Sequence, residues 1–336
     1  ERRLRAARVD PRERNLRKLN LGLVVLATYW ASTRETKVVY YIPKGVGSSR
    51  VLDFNCDHQD HDPAKPKSIL VTGGYDTANV PEAGYGSQRK WWKRSITNYI
   101  IRKCTRVICN SDFAKKEIIS ATGISDNKIS RIYHGIEEHS IRPKEKLNIA
   151  LNVGNVLEEN LLRKGIVPFL AAARLFPSYQ FIQAGQWKDN SIGKLKKYES
   201  INVEIRGWVS DMELQSLYTC SKVYVQPSLH EAFGMSVVEA MQMGCIPIVS
   251  PFGALPEVVG KYGIVLEDTS PAAIANGIHT AECFAYSPEE IRNYVVQKYS
   301  LDKRRKALLQ CIALFGKSID SGDGIVYQKE LNTQLH

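Results

Sequence analysis

The sequence predicts an α/β protein built from two doubly wound, Rossmann-like domains. Three observations carry that expectation. From residue 147 onward, six short apolar runs rich in Val and Ile alternate with helical stretches. The first half repeats the alternation less regularly, and a polar stretch at 134–143 separates the halves. The length of 336 residues also suits two domains at about 150 residues each.

In the second half, strands are expected at 147–153, 179–184, 202–206, 222–226, 245–249 and 263–267. They lack strict alternation of apolar and polar residues, as strands covered on both faces do. Helices are expected at 166–176, 211–220 and 235–243, with Pro177 and Gly244 standing where helices end. In the first half, strands are expected at 37–42, 68–72, 105–109 and 128–133, and helices at 89–103 and 112–121. After Asp302 the pattern is helical to about Ile319 and then polar. The expected units are 1–142, 143–300 and a C-terminal helix with tail, 301–336.

Apolar residues at 43% and charged residues at 24% exclude wholesale disorder, collagen and coiled coil. The apolar run at 21–31 is far shorter than the ~20 residues that a spanning helix needs. The seven cysteines are odd in number and form no CxxC pair, which argues against a disulfide framework or zinc ribbon and suits reduced thiols in a cytoplasm. The sequence begins at Glu1 rather than Met and reads as trimmed or a fragment. Its basic lead and apolar run at 19–30 imitate a secretory signal but lack a small-x-small cleavage site, so a buried element is expected there. The net charge is +11; residues 1–20 supply +5 and 88–106 supply +7, leaving −1 for the rest. Charge confined to two patches differs from the broad basic face of a nucleic-acid-coating protein, and no specific nucleic acid is expected as a partner.

The strongest chemical signal is PSLHEAFGMSVVEAM at 227–241. A buried strand ends near Gln226, a short loop follows, and a helix starts near Gly234. The first N–H groups of that helix, from Phe233 through Gly234, Met235 and Ser236, form an anion site, and glycine lets a phosphate approach the backbone. Glu231 stands on the loop and Glu239 about one turn into the helix, so two carboxylates flank one groove. Gly154 and Asn155 follow the strand at 147–153, and Arg163 and Lys164 come shortly after them.

These residues resemble the family 4 glycosyltransferases of GT-B fold. Glu231 and Glu239, with seven residues between them, match that family's E-x7-E motif, and the similarity runs over about 68–310. The resemblance implies two Rossmann-like domains facing across a cleft. It implies a retaining transfer of a hexosyl-type sugar from a nucleotide diphosphate donor to an acceptor hydroxyl, with no metal or other cofactor. Lys164 and Arg163 would hold the diphosphate, Glu239 the ribose hydroxyls and Glu231 the sugar. Asn155 stands where the family has Arg. Trp208 and Val209, in RGWVS, would lie at the nucleobase; Trp208 reads equally well as core. The Pro256-Glu257 pair matches a family loop and equally suits capping of its own helix. In VTGGYD at 71–76, Gly73 replaces a usual His, leaving Asp76 as the polar group facing sugar or acceptor, with Gly74, Tyr75 and Tyr85 on the acceptor side. His134 replaces a usual hinge Asn.

The run Cys56 to Asp62 alternates Asp and His too tightly for one ion, and a solvated loop is expected. The helix at 89–103 carries Trp92, Ile96, Tyr99 and Ile100 on one face amid basic residues. It suits an anionic membrane surface, and equally a packed helix with a solvated flank; the concentrated charge favours the membrane, a peripheral position on its inner face, and a glycan or lipid-linked acceptor. The rival classes are a sugar-nucleotide epimerase or phosphorylase of the same shape and a nucleic-acid-binding protein; neither explains the paired glutamates.

Overall fold

The structure is a computed structural model and describes residues 50–54, 67–138 and 145–317. The strand expected at 37–42, the Cys56–Asp62 run, the basic lead at 1–20 and the expected domain boundary at 142/143 lie outside the described residues.

The N-terminal sheet has four strands in the order β1-β2-β3-β4: Arg50–Phe54, Lys67–Val71, Arg106–Cys109 and Ile129–Arg131. β1 runs antiparallel to β2, and the other pairs are parallel. Helix α1 (Trp91–Lys103) follows β2 at a distance, and α2 (Asp112–Thr122) joins β3 to β4. Ser111 caps α2 by accepting the Ala114 N–H, and Gly123 ends it. Ile100 and Ile101 of α1, Ala114 and Ile118 of α2, and Leu70 and Val107 of the sheet share one core. Ile100 is thus buried, not part of an outer face.

The C-terminal sheet has six parallel strands: β5 (Leu147–Val153), β6 (Gln180–Ala184), β7 (Val203–Arg206), β8 (Ser221–Gln226), β9 (Ile246–Val249) and β10 (Ile264–Val265). Their order is β10-β9-β8-β5-β6-β7, so β5 and β8 are neighbours at the point where the winding reverses. Ligands of doubly wound sheets bind outside the strand carboxyl ends at that point. Helices α3 (Glu158–Arg163), α4 (Ile166–Ala172), α5 (Asp211–Cys220), α6 (Met235–Gln242), α7 (Leu255–Val259), α8 (Pro271–Glu282) and α9 (Pro288–Tyr299) complete this unit. Ala150, Leu151, Val223, Val225 and Ile248 are fully buried between the helical layers, which explains their unbroken apolar runs. Ser210 with Glu213, and Ser287 with Glu290, form capping boxes that start α5 and α9.

Several boundaries differ from expectation: the helix expected at 89–103 starts at Trp91, the strand expected at 263–267 covers only Ile264–Val265, and two more differ for local reasons. α4 ends at Ala172 and tightens into a 3-10 turn at Ala173–Leu175, because Pro177 disfavours a helical Phe176. Strand β4 stops at Arg131 because the chain then leaves the sheet, where Ile136 pairs with Ser300. The last helix, α10 (Leu301–Lys317), returns to the first sheet: Ala307, Leu308 and Cys311 pack on Ile69, Ile108 and Ile132.

Candidate active site

Loops from both sheets meet at the carboxyl ends of β5 and β8. The α3–α4 junction brings Arg163 and Lys164 to the loop that follows β8. The Lys164 ammonium is hydrogen-bonded to Glu231 Oε1, and the Arg163 guanidinium lies 3.9 Å from the same oxygen. Burial pushes the Glu231 carboxyl up, but the charges of Lys164 and Arg163 outweigh it and hold it below the ordinary carboxylate range. Arg163 is fixed further by Asn160 Oδ1 at 2.6 Å, by Glu159 Oε1 at 3.7 Å and by lying 4.3 Å from the Tyr85 ring centroid. The aliphatic stem of Lys164 passes over Gly154.

A buried polar chain supports Glu231 from below. Tyr224 donates to Gln226 Oε1 at 2.8 Å, Gln226 Nε2 donates to Ser228 Oγ at 2.5 Å, and Ser228 Oγ donates to Glu231 at 3.4 Å. All three supporting residues are fully buried. Polar residues inside an apolar strand are the only sequence trace of this relay.

Helix α6 begins directly after the loop. Its N-cap, Gly234, has φ +97°, and a Cβ there would sit 2.6 Å from Leu255 Cδ2. The first turn holds no acidic residue and no side-chain cap, so its N–H groups keep their positive field. Phe233 is buried against Tyr133, Tyr299 and His134, which anchors the loop, while Met235 is exposed and Ser236 half-buried. Glu239, one turn in, accepts from the Tyr218 hydroxyl at 3.2 Å.

The remaining expected residues divide. Trp208 is 72% exposed, which removes the core reading, while Val209 packs on the core. Trp187, not singled out in the sequence, is 51% exposed and lies over Gly207, adjoining Trp208. Asn155 is exposed, and its side chain accepts the Gln186 N–H at 3.2 Å rather than joining Lys164. Arg163 is thus the second cation beside Glu231. Glu257 does not cap its own helix: it accepts the N–H groups of Asp112 and Phe113 at 2.9 to 3.1 Å, capping α2 in the other half. Asp76 folds back to accept the Gly73 N–H at 3.1 Å. Gly74, φ +100°, lies so close to Ala232 that a Cβ would come within 2.4 Å of that residue's Cβ. The Tyr75 hydroxyl accepts from the Lys93 ammonium at 3.0 Å. Tyr85 is buried, with its ring between Arg163, Tyr75 and His230.

A second cationic recess, of 170 Å³, is lined by Arg131, Lys298, Lys303 and Arg304 where α10 meets β4. Arg131 pairs with Asp112 at 2.9 Å, and Arg304 donates to the Tyr133 carbonyl at 2.7 Å. No group of three or more His, Cys, Asp or Glu side chains suited to a metal exists among the described residues.

Comparison with known proteins fits this geometry. The model for glycosyl transferases group 1 matches residues 136–294, and that for glycosyltransferase family 4 matches 70–139. The Salmonella typhimurium O-antigen chain mannosyltransferase RfbU is 24% identical over 65% of this chain and 62% of its own. The Escherichia coli O-antigen chain mannosyltransferase B is 34% identical over 34% of this chain and 32% of its own. The chain thus spans less than two thirds of these curated relatives. Among solved structures, Anabaena HepE in complex with UDP and glucose superposes with a TM-score of 0.61 at 16% identity, over 73% of this chain and 71% of that one.

Proposed function

The chain belongs to the family 4 glycosyltransferases of GT-B fold, and from that premise we propose that its cleft moves a hexosyl-type sugar from a nucleotide diphosphate donor to an acceptor hydroxyl, with retention. The observation that carries this reading is the meeting of Lys164, Arg163 and Glu231 beside the uncapped start of α6. The N–H groups of Phe233 to Ser236 and the two cations hold the diphosphate. As the diphosphate takes up the charge of Lys164, Glu231 is released toward the sugar, where its carboxylate stabilises the positive charge of the breaking glycosidic bond. Glu239 holds the ribose, and the exposed Trp208 with Trp187 flanks the base. The leaving phosphate takes the acceptor proton, so the reaction calls on no protein base, and Lys164, Arg163 and the start of α6 neutralise the diphosphate in place of a metal. The relatives' names, two O-antigen chain mannosyltransferases, support a hexosyl donor and a glycan acceptor.

A thermal-shift panel of nucleoside diphosphates and their sugars tests the donor assignment. One nucleotide class at 100 times its Kd is expected to add about 2.7 kcal/mol of stability. A panel with no response contradicts the reading.

We further propose that α1 brings the enzyme to an anionic membrane surface. Trp91 is 74% exposed, Tyr99 59% and Ile96 39%, amid the exposed Lys90, Arg94, Arg102 and Lys103. Each such cation near anionic lipid is worth about 1 kcal/mol. No helix among the described residues is long and apolar enough to cross a membrane. Co-sedimentation with anionic vesicles is expected for the parent and lost in the Lys90→Glu/Arg94→Glu variant. Equal binding by both, or none, contradicts it.

A further inference from the structure

We infer that Glu117 is a positioning residue that ties the acceptor-side loop and the Glu231 loop to one carboxylate, setting the cleft in its working register. Glu117 lies on α2 and contributes to no part of the donor cradle. Its Oε1 is 2.9 Å from His230 Nε2, and its Oε2 accepts the Thr77 hydroxyl proton at 2.8 Å. His230 immediately precedes Glu231. Thr77 closes the Gly73–Asp76 loop, whose Gly74 rests on Ala232. The carboxylate therefore commits both oxygens to two different loops.

The surroundings make this contact more than a surface pair. The His230 side chain is 6% exposed and Glu117 18%, and Thr77 is buried. The His230 ring is held between Tyr85 and Phe113, at 5.7 and 5.6 Å between centroids. Toward its start, the same helix is gripped twice more. Ser111 Oγ donates to the Ala232 carbonyl at 2.6 Å, and Glu257 caps the helix start. Along 230–232 the residues alternate: His230 and Ala232 bind α2 and its cap, while Glu231 between them binds Lys164. A shift of α2 therefore moves the backbone that aims Glu231, together with the loop that faces it. Transfer needs the reacting groups placed within a fraction of an ångström, and an error of 1 Å can cost about 100-fold.

The test combines hydrogen exchange with kinetics; only the kinetic arm rests on the proposed function. In the ligand-free full chain, Glu117→Ala and His230→Ala are each expected to raise amide exchange at 73–78 and 229–232 by about tenfold. The double variant is expected to do no more than either single one, because both remove one link. Thr77→Val, which keeps the side-chain volume, is expected to loosen 73–78 alone, and Glu117→Gln to stay near the parent. In transfer assays, Glu117→Ala is expected to lower kcat about 10- to 100-fold while the Kd for nucleoside diphosphate stays within about twofold. Unchanged exchange in Glu117→Ala, or effects of the two alanine variants that multiply, would overturn the link. A kcat loss matched by an equal loss of nucleotide affinity would overturn the positioning role. A parent that binds no nucleotide defeats the proposed function, and the exchange data still decide on the link.

Discussion

Glu231→Gln is expected to lower kcat by about 100- to 1,000-fold, the range for removing one preorganised group that stabilises transition-state charge. The affinity for nucleoside diphosphate is expected to hold or rise. Glu231 holds Lys164 and Arg163; on the proposed reading it competes with the diphosphate for them, so neutralising it would leave both cations to the phosphates. Steady-state kinetics with a sugar nucleotide, alongside titration of the bare nucleotide, separates the two effects. Equal losses in kcat and in nucleotide affinity would reduce Glu231 to a support for the phosphate-binding cations; an unchanged kcat would remove it from the chemistry.

Lys164→Ala is expected to weaken nucleoside diphosphate binding by about 10- to 100-fold, the loss of one charge-assisted contact worth about 1.5–3 kcal/mol. It also leaves Glu231 with Arg163 at 3.9 Å as its remaining close cation. Truncating one partner of a buried pair costs up to about 3–5 kcal/mol, and the remaining guanidinium keeps the cost below that. The pH dependence carries the sign. In the parent the folded-state value of Glu231 is lowered, so the pair contributes stability above the ordinary carboxylate range, and that contribution is lost as pH falls through the lowered folded value. In Lys164→Ala, the upward push of burial meets less opposition. The deficit relative to the parent is then largest near neutral pH and shrinks on acidification. Chemical denaturation from pH 7 to pH 3 reads this directly. A deficit that grows on acidification contradicts the assigned pair.

What can be read from the sequence follows what each residue's neighbours are. Strands β5, β6, β8 and β9 are covered on both faces, so their apolar runs report burial without reference to distant contacts. The Glu231–Glu239 spacing and Lys164 are legible because local turns fix them: a strand end, a loop and a helix start. Glu257 misleads because the helix it caps begins 145 residues earlier in sequence, and a Pro-Glu pair at a helix start imitates local capping. His230 and Glu117 are silent for the same reason, being 113 residues apart. Arg163 can be suspected as the second cation from its place beside Lys164, but its contacts cannot be read. Its buried place depends on α3, a helix of six residues with too short a pattern to read, and on the ring of Tyr85 from the other half. Trp208 keeps two readings in the sequence because an aromatic after a strand is compatible with core or cleft; only its exposure separates them.

The location of the donor phosphates is the central claim, and a crystal structure with bound nucleoside diphosphate tests it most directly. The account predicts the terminal phosphate within hydrogen-bonding distance of the N–H groups at 233–236 and of the Lys164 ammonium, with the ribose at Glu239 and the base beside Trp208. A diphosphate seated instead in the recess of Arg131, Lys298, Lys303 and Arg304, with the start of α6 untouched, would contradict it.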